Sequence, residues 1–122
     1  MKKGKTGLVR WLDATGHSIR GIRACWENEA AFRQDVLLSA VLFIVSFFLA
    51  RSAEQWLLLV FPLFLILIVE LLNSAVENVV DRIGPDLHTL SGRAKDMGSA
   101  AVLFCLILIA TSWIAIAWEN FS

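Results

Sequence analysis

The sequence predicts an all-α integral membrane protein. Three transmembrane helices follow an amphipathic helix on the membrane surface, and the whole joins into an oligomeric helical bundle. Three observations carry this. Of 122 residues, 57% are hydrophobic and 18% charged, with a mean hydropathy of +0.67, whereas soluble domains run about 45–50% apolar and 25% charged. Three long apolar segments stand apart along the chain, rich in Leu, Ile, Val, Phe and Ala and without the two-residue alternation of a strand. A soluble chain of this size buries only roughly two thirds of its surface, too little to hide so much apolar area, so the bilayer must take up the rest.

The first element, about residues 6–27, is the surface helix. Leu8, Leu12, Ile19, Ile22 and Trp26 recur mostly at spacings of three and four, with Arg10, Arg20 and Arg23 between them, as expected of a helix lying on a membrane. Gly16 and Gly21 mark places where it could kink or break. The first span, about 30–50, contains fifteen uncharged residues between Asp35 and Arg51, extended through Ala30, Ala31 and Phe32. After a tight turn at Arg51–Glu54 comes the second span, about 54–76, in which fifteen uncharged residues from Gln55 to Val69 are interrupted by Glu70 and resumed as far as Val76. Residues 77–96 read as a connecting loop. The third span, about 97–118, is twenty-two residues without a charge. Each span reaches about 20 residues, or roughly 30 Å of helix, the thickness of the hydrocarbon core. Lipid admits helices and excludes an open sheet.

Basic residues orient this path. Seven Lys or Arg fall in 1–35, three in 77–96, one at Arg51 and none after Trp118, so the positive-inside rule places the N-terminus and 77–96 in the cytoplasm and the C-terminus outside. Trp26 then sits near the inner interface, and Trp56, Trp113 and Trp118 near the outer one. No cleavable signal peptide is expected, because the first apolar run begins only near residue 36. The chain reads as one domain without repeats. Eleven basic and eleven acidic residues balance to zero net charge, which removes the electrostatic case for a nucleic-acid partner. Cys25 and Cys105 match neither a disulfide framework nor zinc-ligand spacing and read as buried thiols.

Glu70 is the most informative residue, since an ionisable group inside an apolar span is costly and points by default to function. Asn73, Ser74, Glu77 and Asp81 follow at offsets of three, four, seven and eleven, which places them on one stripe of a helix. A structural role, as a hydrogen-bonding group between helices, is the alternative for Glu70 and Asn73. Glu29 is a further carboxylate at the inner interface. It reads either as one of two carboxylates for Mg²⁺ beside Glu77 or as a surface charge paired with Arg33 at i, i+4. The segment SGRAKDMGSAA (91–101) could hold phosphate through backbone amides with Arg93 or Lys95. Read otherwise, it anchors the third span at the membrane and packs closely through small residues. Neither a P-loop nor a GxGxxG fingerprint is present. His17 and His88 stand alone and read as surface or packing residues.

FRQD (32–35), VELLNSAVENVVDRIGPDLHTLSGRAKDMGSAAVL (69–103) and the three-span layout behind a surface helix closely resemble the prokaryotic diacylglycerol kinase family. The resemblance covers essentially the whole chain. It implies a homotrimer in the bacterial cytoplasmic membrane that transfers the γ-phosphoryl group of ATP to the free hydroxyl of 1,2-diacylglycerol, giving phosphatidate, with Mg²⁺ as cofactor. By motif, it makes Glu70 the general base with Asn73 beside it, and Glu29 and Glu77 the metal-binding carboxylates. It implicates Arg10, His17, Asp86, Leu87, His88, Lys95 and Asp96, with Glu29 and Glu77, in ATP binding. For the lipid it implies Arg10, Arg23, Arg33, Gln34, Trp56, Ser99 and Trp113 together with Glu70. His17 stands where family members commonly carry Tyr, and Ile19 where an indole is common, so contacts from the surface helix differ. Two alternatives accompany this reading: undecaprenol kinase, from a branch of the same family, and a small ion-conducting subunit, which would also use a buried carboxylate.

Overall fold

The computed structural model describes residues 6–84 and 88–122. It contains four helices, α1 (Gly7–Asn28), α2 (Ala30–Leu49), α3 (Ala53–Ile83) and α4 (Thr89–Phe121), and no strand among the described residues. The last three are each long and apolar enough to cross a membrane, which bears out the predicted all-α class with three spans.

Local chemistry sets the boundaries. Ser52 caps α3, its hydroxyl accepting from the Gln55 amide at 3.1 Å, with Glu54 in the first turn and Arg82 in the last, as the helix dipole favours. His88 caps α4, its Nδ1 accepting from the Leu90 amide at 3.0 Å. Between α1 and α2 only Glu29 is non-helical, extended at φ −122° and ψ 107°. Arg33 Nη1 reaches back to the carbonyls of Trp26 at 2.6 Å and Glu27 at 3.4 Å, satisfying the end of α1. The expected Glu29–Arg33 pair is thus replaced by a cationic cap on backbone carbonyls, because the break at Glu29 aims Arg33 at the end of α1. Gly16 and Gly21 lie within an unbroken helix.

Residues 77–96 differ most from the sequence expectation of a loop. Helix α3 runs on to Ile83 and α4 begins at Thr89. The physical reason is that no glycine or proline interrupts the chain between Pro62 and Gly84, so polarity alone ends the apolar span without ending the helix. At 31 and 33 residues the two helices are about 46 and 50 Å long, longer than a hydrocarbon core of about 30 Å. Their polar turns therefore project beyond it at the end near the α3–α4 connection.

Helix α3 is central and packs against each of the other three. Its residues Leu63 and Ile66 meet Cys105 and Ile109 of α4 in the core, with Leu42, Phe43 and Trp113 against them. Small side chains let α2 approach: Ser39 and Ser46, one heptad apart, are both buried. Large apolar residues of α3 such as Phe61, Phe64, Ile68 and Leu72 face outward.

Candidate active site

The site is built on α3. Glu70 is 5% exposed and Ser74 6%, while Asn73 and Glu77 are half-buried and Asp81 is exposed. This gradient takes one polar stripe from the interior to the surface, with Glu70 and Glu77 about 10 Å apart along the axis. Helix α2 adds a carboxylate that sequence reasoning did not single out. Asp35 faces Glu70, as does the Asn73 amide. Asp35 Oδ2 and Asn73 Oδ1 are buried without a hydrogen-bond partner among the described residues, at a cost of about 1–3 kcal/mol each. Native interiors seldom leave such groups unmatched, so these atoms mark the place where a further polar group is accommodated.

Helix α4 closes this end. A Cβ added at Gly98 would overlap the Asn73 amide, with Asn73 Cγ at 2.9 Å, so the absence of a side chain at Gly98 is what lets Asn73 lie between the helices. One turn toward the surface, Lys95 Nζ pairs with Asp81 Oδ1 at 2.8 Å, and Glu77 also acts on the ammonium. Asp96 and Ser99 are exposed on the same helix. Four predicted residues, Glu70, Asn73, Glu77 and Lys95, are thus gathered along the adjoining polar ends of α3 and α4.

Helix α1 meets α3 on another side. Cys25 Sγ donates to Ser74 Oγ at 3.5 Å, and burial pushes the Cys25 thiol up. Beside this contact a cleft of about 500 Å³ is lined by Asn28, Glu29, Leu71 and Asn78 with Cys25 and Ser74. Glu29 therefore stands over the Ser74–Asn78 flank of α3. Glu77 is displaced from Asn78 by about 100° around the helix, toward Lys95. The described residues contain no group of three or more His, Cys, Asp or Glu side chains poised around one ion.

Other predicted residues stand elsewhere. Arg10, His17 and Arg23 are exposed on α1, with His17 Nδ1 and Arg20 Nη2 2.6 Å apart. Arg10 and Glu29, nineteen residues apart, are separated by about 28 Å of helix. His88 caps α4, Arg33 caps α1, and Gln34 is exposed. Trp56 stacks with Phe47 and Phe43, at 5.5 and 6.2 Å between ring centroids. The Trp113 indole donates to the Leu59 carbonyl at 3.0 Å. Trp56 precedes Glu70, and Trp113 follows Ser99, by fourteen residues, or about 21 Å, so both tryptophans belong to the opposite end of the bundle. Asp86 and Leu87 lie outside the described residues. Asp35 was legible only as the last letter of FRQD and as the boundary of an apolar run; its spacing of four from Ser39 puts both on one face of α2 and was the available signal.

A family model described as prokaryotic diacylglycerol kinase matches residues 16–117. Diacylglycerol kinase of Escherichia coli (strain K12) is 46% identical over 121 residues, covering 99% of both chains. The protein of that name from Pseudomonas aeruginosa is 51% identical over 114 residues and 93% of each chain. That from Haemophilus influenzae is 43% identical over 108 residues, 88% of this chain and 92% of its own.

Proposed function

Since the chain belongs to the prokaryotic diacylglycerol kinase family, we propose that it transfers the γ-phosphoryl group of ATP to the free hydroxyl of 1,2-diacylglycerol, yielding phosphatidate and ADP. The observation that carries this reading is the buried Glu70 carboxyl, set within a membrane-spanning helix beside the unpartnered oxygens of Asp35 and Asn73.

Glu70 is the general base. Its carboxylate takes the proton of the lipid hydroxyl as that oxygen bonds to the γ-phosphorus, while the bond from phosphorus to the β–γ bridging oxygen breaks and ADP leaves with the electron pair. Asn73, wedged against Gly98, orients the reacting groups, with Ser99 next along α4. Lys95 and Asp96, where the helices emerge, receive the nucleotide. Lys95 is held in place by Asp81 and offers its charge to the phosphates. Arg10, His17, Asp86, Leu87 and His88 complete the nucleotide contacts, and Arg23, Arg33, Gln34, Trp56 and Trp113 those to lipid.

Glu29 and Glu77 suit Mg²⁺ by donor type, although they stand on different flanks of α3. Both are half-buried, Glu29 between α1 and α2 and Glu77 on the polar part of α3, and Mg²⁺ takes one or two protein carboxylates, completing its shell with water and substrate phosphates. When bound, the ion neutralises phosphate charge.

The end carrying Lys95 faces the cytoplasm, where ATP is found, and the C-terminus lies outside. The protein works as a homotrimer. Three spanning helices enclose little volume, and the half-buried Asp35, Asn73 and Glu77 gain cover from a neighbouring protomer, which favours association.

The test is phosphate transfer from labelled ATP by purified protein in mixed micelles, offering diacylglycerol or undecaprenol, with and without Mg²⁺. Mg²⁺-dependent phosphatidate supports the proposal. Labelled undecaprenyl phosphate instead would move the protein to the other branch of the family, and no lipid product from folded protein would favour an ion-conducting role.

A further inference from the structure

A groove of about 230 Å³ runs between α2 and α3. Val36, Ala40 and Phe43 form one wall and Leu63, Phe64 and Leu67 the other, with Ser39 the single polar side chain. One end lies beside the carboxyl pair: Val36 follows Asp35, and Leu67 is one turn before Glu70. The other end, at Phe43 and Leu63, lies about 10 Å farther into the apolar span. Ser39 sits between, one turn from Asp35. It is 6% exposed, and its hydroxyl has no partner among the described residues.

We propose that this groove holds one acyl chain of the lipid substrate, with Ser39 donating to an ester oxygen. The inference rests on the kinase reading and extends it to how the lipid is aligned. Its basis is order. Along a diacylglycerol the sequence is hydroxyl, ester, hydrocarbon; along the α2–α3 seam it is carboxyl pair, unpaired hydroxyl, apolar groove. A second copy of the chain would cover an apolar groove equally well, but would not account for a lone donor placed one turn from Asp35, which faces the base. Bilayer hydrocarbon solvates a chain as well as the groove does, so the groove adds little affinity. Its contribution is alignment, presenting the hydroxyl to Glu70 in one geometry.

Two measurements test this. In the unaltered protein, without nucleotide, a diacylglycerol carrying a diazirine at mid-chain should label peptides spanning 36–43 or 63–67 on irradiation, and excess dioleoylglycerol should suppress the labelling. In kinetic assays Ala40→Phe, which fills the groove, should lower kcat/KM for dioleoylglycerol about ten-fold or more while changing that for dibutyrylglycerol less than about two-fold. Ser39→Ala should raise KM about five-fold, the equivalent of one hydrogen bond, with kcat unchanged. Label confined to other segments, or an Ala40→Phe variant that treats both substrates alike, overturns the proposal. Groove labelling without phosphate transfer would retain the groove and overturn the kinase reading, whereas transfer without groove labelling does the reverse.

Discussion

The two ends of the bundle differ in the buried polarity they leave unmatched: near the α2–α3 turn it is the Trp56 indole N–H, and at the other end it is oxygens beside Glu70. Near the α2–α3 turn, Asn120 donates to the Leu49 carbonyl at 2.7 Å and exchanges hydrogen bonds with Gln55, both at 2.9 Å. Arg51 lies 5.5 Å above the Phe121 ring. These side-chain amides complete one another and tie the last turn of α4 to the start of α3. At the other end Asp35 and Asn73 each keep an oxygen unpaired beside Glu70. Polarity which ends in itself is scaffold, whereas oxygens left unmatched beside a buried carboxyl are, on the proposed reading, where substrate binds.

Substitutions should separate the two. Asn73→Leu, branched at Cγ like Asn, is expected to lower kcat about a hundred-fold by removing an orienting group. Unfolding stability should change little, since losing an unsatisfied buried oxygen offsets the larger methyl groups against Gly98; a drop above about 3 kcal/mol in a denaturant titration would make Asn73 scaffold. Gly98→Ala pushes a methyl group into the Asn73 amide. It should destabilise by about 1–3 kcal/mol and reduce kcat along with it, because the amide has to move.

These expectations depend on contacts that were partly hidden. The spans, the amphipathic first helix and the Glu70–Asn73–Glu77 stripe were legible because periodicity and apolar length are local properties. The ends of α3 and α4 were not. A fall in hydrophobicity at Glu77 resembles the end of a helix, although only Gly84, with Pro85 after it, supplies a residue that disfavours helix. Asp35 meets Glu70 through packing of α2 on α3, and Gln55 meets Asn120 across 65 positions; neither spacing has a local signature. Gly98 was read as a small packing residue, which it is, but its neighbour Asn73 gives that packing its bearing on the site.

The amide end should respond inversely. Asn120→Leu leaves the Leu49 carbonyl and Gln55 without their partner, and should cost about 1 kcal/mol, near the worth of interhelical hydrogen bonds in membranes. Its kcat should stay within about two-fold of the parent, since Asn120 lies far from the phosphoryl path. Equal loss of activity in Asn120→Leu and Asn73→Leu would erase the distinction. Asp81→Asn gives the smallest effect: its partner Lys95 is 45% exposed and Asp81 itself 64%, so unfolding should not change measurably.

The central claim is that the carboxylate end performs the transfer with Glu70 as its base. The most direct measurement compares Glu70→Gln with the unaltered protein, at saturating ATP, Mg²⁺ and diacylglycerol in mixed micelles, alongside far-UV circular dichroism of both. A fall in kcat of about 10²–10⁴ with the helical spectrum preserved is the expected result. Full phosphatidate production by Glu70→Gln would contradict the account.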